Sequence, residues 1–133
     1  MKLIYLAHPV RGDVLGNLAR AKRWWRWIET SFPDTVVIAP WITVCEIFDD
    51  ADEAQRMAGL RRGCAVVVRC DEIWLVGGRV SNGMRVELEA AAMTKVKVVD
   101  LTRLGEEPPV AWKNVGYHIM NRVVYGSYRS GRR

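Results

Sequence analysis

At 133 residues, 50% hydrophobic and 26% charged, the chain has the length of one domain, roughly 100 to 200 residues, and is too apolar to stay disordered. Its formal charge of +5 and pI of about 9.4 favour anionic partners such as nucleotides, nucleic acid or acidic surfaces. Three cysteines, Cys45, Cys64 and Cys70, offer neither the even count of a disulfide framework nor the C-x-x-C spacing of a zinc site, so reduced thiols and no metal are expected.

The chain opens on KLIYLA (2–7), a short apolar run of the kind that forms a buried parallel strand. With one lysine and so short an apolar stretch, this start is no signal peptide, and nowhere does the sequence approach the ~18 apolar residues of a membrane span. A cytoplasmic protein without membrane contact is expected. The strand runs out into His8, Pro9, Arg11 and Gly12, and a helix follows. Val14, Leu18, Ala21, Trp25, Ile28 and Phe32 recur at steps of three and four, which marks its core face. Trp24 and Trp27 then fall on the flank, where large aromatics mark a protein interface more often than a base-stacking platform. They predict at least a homodimer, and they do not favour nucleic acid as a partner.

The run TVVIAP (35–40) predicts a second strand, with Pro40 and Trp41 in the loop after it. The acidic DDADE (49–53) suits a helix start better than a metal cluster, because acids there cap free N–H groups and complement the dipole. A second helix is predicted from Asp52 toward Arg69, a third strand at EIWLVG (72–77), a third helix from Asn82 to about Met93, and a fourth strand at VKVVDL (96–101). A fourth helix is predicted from Pro109 to about Val124. The basic Gly/Ser-rich end, 125–133, reads as a flexible tail. Such alternation predicts one α/β domain over 1–133, a flavodoxin-like open parallel sheet of four to five strands with flanking helices.

In such a sheet the ligand sits beyond the carboxyl ends of the strands, where strand order reverses. Candidate positions are therefore His8, Arg11 and Gly12 after the first strand, Trp41 after the second, and Ser81, Asn82 and Gly83 in GGRVSNGMRVE (77–87) after the third. That loop turns through glycines into a helix start, a setting that brings N–H groups to an anion. Met84, Leu88 and Ala91 form the apolar stripe of that helix, and Glu87 borders it. A half-buried carboxylate near an anion-binding helix start is a candidate functional group, although an edge glutamate with a basic partner has the same pattern.

Taken together, YLAHPVRG, RCDEIWLVG and SNGMRVELEAA resemble the three signature segments of the nucleoside 2-deoxyribosyltransferase superfamily, over roughly residues 2–101. The resemblance implies that Glu87 is the nucleophile at the anomeric carbon, that Tyr5 orients its carboxylate, and that Asp71 is a catalytic or base-contacting residue. It also implies that Arg11 and Gly12 lie near a sugar phosphate. Such chemistry needs no metal or cofactor, since a carboxylate can trap an oxocarbenium-like sugar as a covalent intermediate. Free-nucleoside transferases of this superfamily tend to carry an aspartate six residues before the nucleophile. Ser81 stands there instead, as in the nucleoside 5′-monophosphate N-glycosidases, where serine accepts a phosphate that an aspartate would repel. His8 replaces a glycine common in the superfamily, which leaves base contact and loop packing both open. The resemblance further implies a homodimer or higher oligomer with shared sites, placing Asn114, His118 or Asn121 near a neighbour's phosphate or sugar. The expected function is hydrolysis of a nucleoside 5′-monophosphate, with base exchange by a transferase and nucleotide binding without turnover as alternatives.

Overall fold

Four of the apolar runs pair as strands. The computed structural model describes residues 1–109, so the expected fourth helix beyond Pro109, the tail 125–133, and Asn114, His118 and Asn121 lie outside the described residues. The strands are β1 (Lys2–Ala7), β2 (Thr35–Ile38), β3 (Glu72–Leu75) and β4 (Lys97–Asp100), all parallel in the order β2-β1-β3-β4. Ile4 to Ala7 and the whole of β3 are buried, as both faces of the two inner strands must be when helices cover them. The helices are α1 (Val14–Ser31), α2 (Pro40–Ile47), α3 (Glu53–Val67) and α4 (Asn82–Ala92), with a 3-10 turn at Thr102–Leu104. This is the expected flavodoxin-like α/β sheet, and strand order reverses between β1 and β3. Among the described residues no helix is long and apolar enough to cross a membrane.

Helix α2 was not predicted. Pro40 and Trp41 were expected in a loop, but β2 stops at Ile38 and Pro40 opens the helix. Proline suits that position because its missing N–H would have had no acceptor there, and its fixed φ is already helical. Asp52 caps α3 by accepting from Gln55 N at 3.0 Å, so one acid of DDADE serves the capping role read from sequence.

The tryptophans of α1 sit the other way round from the expected core face. Trp24 is 0% and Trp27 5% exposed, whereas Trp25 is only partly buried. From Ala21, steps of three and of four both stay on a helix face, and the sheet selects Trp24. Its Nε1 donates to Glu106 O at 2.8 Å. Edge-to-face contacts then run from Trp24 to Trp27, Phe32 and Trp74 on β3, with ring centroids 5.6, 5.9 and 5.3 Å apart. These rings clamp α1 to the sheet, and Trp24 and Trp27 no longer form an exposed pair that would support a dimer.

At the amino edge of the sheet, buried Glu72 accepts from Trp74 Nε1 at 2.7 Å and from Lys2 Nζ at 2.9 Å, with Lys97 Nζ at 4.0 Å. Both lysines are about half exposed, so solvent screens their share and the indole bond dominates. Replacing Glu72 with alanine strands that buried N–H. We expect a loss of about 2 kcal/mol in urea unfolding, whereas a change below ~0.5 kcal/mol would show that the network is ornamental.

Candidate active site

A cleft of about 190 Å³ opens beyond the carboxyl ends of β1 and β3. His8, Val10 and Arg11 line it from the β1–α1 loop, Trp41, Val44 and Phe48 from α2 and its end, Arg56 and Leu60 from α3, and Arg79, Ser81, Gly83 and Glu87 from the β3–α4 turn and α4. Its position follows from the fold, since the two inner strands send their crossovers to opposite sides and leave a crevice between them.

Tyr5 and Glu87 meet at this cleft. The Tyr5 hydroxyl donates to Glu87 Oε1 at 2.9 Å, with both side chains buried. Glu87 is only 6% exposed, deeper than its edge-of-stripe position predicted. The reason is α3, which packs over that face of α4: a methyl group added at Gly63 would lie 2.8 Å from the Tyr5 hydroxyl and 3.6 Å from Glu87 Oε1. Burial pushes the Glu87 carboxyl from its ordinary 4.5 up to about 7, and the Tyr5 hydrogen bond partly opposes this. Burial, reinforced by Glu87, pushes the Tyr5 phenol well above its ordinary value, so it stays a donor. A carboxylate that is ionised near neutrality and held by one fixed donor is poised for attack or proton transfer. The thiols nearby are shifted toward their protonated form. Burial holds Cys45 up at about 11 and also raises Cys64, which feels Glu87 as well.

Ser81 caps α4, its Oγ accepting from Met84 N at 3.3 Å. The next N–H groups, at Asn82 and Gly83, open the helix and have no acceptor within it. Asn82, Gly83 and Ser81 all line the cleft, as expected for the loop after β3. Trp41 lines it from a helix rather than a loop, held by a bond from its Nε1 to Leu6 O at 2.7 Å.

His8 is 4% exposed and lines the cleft. Its Nδ1 lies 2.6 Å from Pro9 O; a carbonyl can only accept, so Nδ1 carries the proton. Burial lowers its pKa, which leaves a neutral ring, and among the described residues Nε2 has no hydrogen-bond partner. The ring packs where a side chain at Gly77 would stand, at 2.7 Å from an added methyl group, and Gly77 has a φ of +95°. Only glycine satisfies both demands.

Arg11 also lines the cleft, but its guanidinium pairs with Glu53 at 3.3 Å and Asp50 at 3.9 Å. Gly12 lies on an adjoining depression of about 390 Å³ that shares Arg11, Phe48 and Asp50. Asp71 is not brought to the cleft. It precedes β3 at the amino edge of the sheet, where its carboxylate accepts from Leu3 N at 2.8 Å. Arg56 and Gly63 belong to no motif that marks them in the sequence. One signal for them existed, because a helix capped by Asp52 puts Arg56, Gly59, Leu60 and Gly63 on one face at steps of three and four.

Residues 2–101 match a family described as a domain of unknown function, DUF7768. The chain belongs to that family. No curated protein and no solved structure matches it. The match ends beside Asp100, the last residue of β4, so the DUF7768 segment contains the whole described sheet and every residue lining the cleft.

Proposed function

We propose that this DUF7768 protein hydrolyses the N-glycosidic bond of a nucleoside 5′-monophosphate. The observation that carries the reading is buried Glu87, bonded to Tyr5 and lining a cleft that the capped start of its own helix also lines. Glu87 attacks the anomeric carbon as the C–N bond breaks, and the base leaves with the bonding electrons and takes up a proton. Water then opens the glycosyl ester, which releases the sugar phosphate and restores the carboxylate. Tyr5 holds the attacking carboxylate in one orientation, and the helix start with Ser81 favours a phosphate. The likeness of the three signature segments to the nucleoside 2-deoxyribosyltransferase superfamily supports the same assignment. A homo-oligomer with shared sites rests on that likeness alone, because the exposed tryptophans that also suggested it are buried.

The test is chromatography of products from a panel of nucleoside 5′-monophosphates and nucleosides, with and without added free base. Free base and sugar 5-phosphate are expected from the monophosphates. A new nucleotide formed on the added base identifies a transferase, and no base release from any compound overturns the reading. In the same assay Ser81→Asp keeps a good N-cap but adds negative charge. It should cut monophosphate turnover about tenfold more than nucleoside turnover through like-charge repulsion, and equal losses would remove Ser81 from phosphate recognition.

A further inference from the structure

The strongest unassigned feature of the cleft is a cation on α3. We propose that Arg56 supplies the charge that holds the substrate's phosphate, in a cradle kept open by Gly83, an inference that rests on the cleft taking a nucleotide. The Arg56 side chain is only 16% exposed, yet its ion-pair partner is Glu53 Oε1 at 4.0 Å, beyond hydrogen-bond distance and 69% exposed. The same Glu53 gives its other oxygen to Arg11 at 3.3 Å. Arg11 is thus committed to two acids, while Arg56, on a mostly covered side chain, keeps a guanidinium whose acid stands beyond hydrogen-bond distance. A planar donor in that state suits an incoming phosphate.

Gly83 locates the anion. A methyl group added there would lie 3.9 Å from Arg56 Nη2, 4.0 Å from Ser81 Oγ and 3.5 Å from Leu60 Cδ2. One point at the start of α4 is therefore within reach of the guanidinium and the serine hydroxyl, and only the missing side chain leaves it open. The free N–H groups of Asn82 and Gly83 add the positive end of the helix. Independent signs of a ligand stand on the same cleft. Among the described residues His8 Nε2 is buried with no hydrogen-bond partner, and Glu87 accepts a hydrogen bond on Oε1 alone. Buried polar atoms left unpaired by the protein mark a site completed by something else.

The experiment is calorimetric titration with ribose 5-phosphate and 2-deoxyribose 5-phosphate, run on the whole chain. Arg56→Gln should weaken binding about tenfold to a hundredfold, the span of one charge-assisted hydrogen bond, and Arg56→Lys should recover part of it. Gly83→Ala makes only ordinary contacts with its neighbours, so its melting temperature should match or exceed that of the parent. Filling the cradle should still cost at least about tenfold in affinity, which keeps the proposal testable even where Arg56→Gln folds poorly. If the parent releases no base from any nucleotide yet binds sugar phosphate through Arg56, the hydrolase reading falls and this proposal stands. If the parent cleaves monophosphates while both variants bind sugar phosphate as tightly as it does, this proposal falls and the hydrolase reading stands. A parent chain that binds neither sugar phosphate also overturns it.

Discussion

Replacing Glu87 with glutamine is expected to abolish base release, by roughly 10³-fold or more, while making the folded chain more stable above neutrality. The two effects have one cause. Burial raises the carboxyl from 4.5 to about 7, so between those values the folded state holds a proton that the unfolded state has lost. Stability therefore falls as pH rises through that window, by up to about 3 kcal/mol once both forms are ionised. Glutamine carries no charge and still offers Tyr5 a carbonyl oxygen at the position of Oε1. The variant should consequently match the parent in urea at pH 4 and exceed it at pH 8. Activity runs the other way, since only the ionised carboxylate attacks, and kcat/KM of the parent should climb with pH through about 7. Turnover within about tenfold of the parent would sink the nucleophile assignment. A stability difference independent of pH would show that the buried charge is not what the glutamine removes.

Gly63→Ala is expected to cost most of the activity with a much smaller change in stability. Alanine is the better helix former by about 1 kcal/mol, whereas its methyl group would stand 2.8 Å from the Tyr5 hydroxyl. Tyr5 is fully buried and cannot swing away, so the overpacking costs roughly 1–3 kcal/mol and the two terms partly cancel. The pair is then pushed out of register. The Tyr5 bond lowers the Glu87 pKa, so its loss should carry the alkaline-rising limb of kcat/KM to higher pH as the maximum rate falls. That displaced midpoint separates a disturbed Tyr5–Glu87 pair from a general loss of folded protein, which would lower activity equally at every pH. Unchanged activity and midpoint would show that the close approach of α3 is structural only.

The local pattern determined a good deal of this protein. Strand positions follow from short apolar runs that can be satisfied only when both faces are covered, and the start of α3 follows from Asp52, whose carboxylate meets free N–H groups wherever a helix begins. The site's general place, past the ends of β1 and β3, follows from topology alone. Glu87 could be singled out because its spacing puts it beside an apolar stripe, and Tyr5 joined it only through the resemblance of three segments. What the sequence left undecided is what depends on a second element's approach. Steps of three and of four fit one helix face equally well, so only packing against the sheet could bury Trp24 and Trp27 rather than Trp25. Asp71 is a site residue by the resemblance alone, and the parallel register places it at the amino edge, bonded to Leu3. Arg56 and Gly63 become functional candidates only when α3 packs across α4, because a part-buried cation beside the start of another helix and a glycine that admits a tyrosine hydroxyl are properties of the pair of helices, carried by neither segment alone.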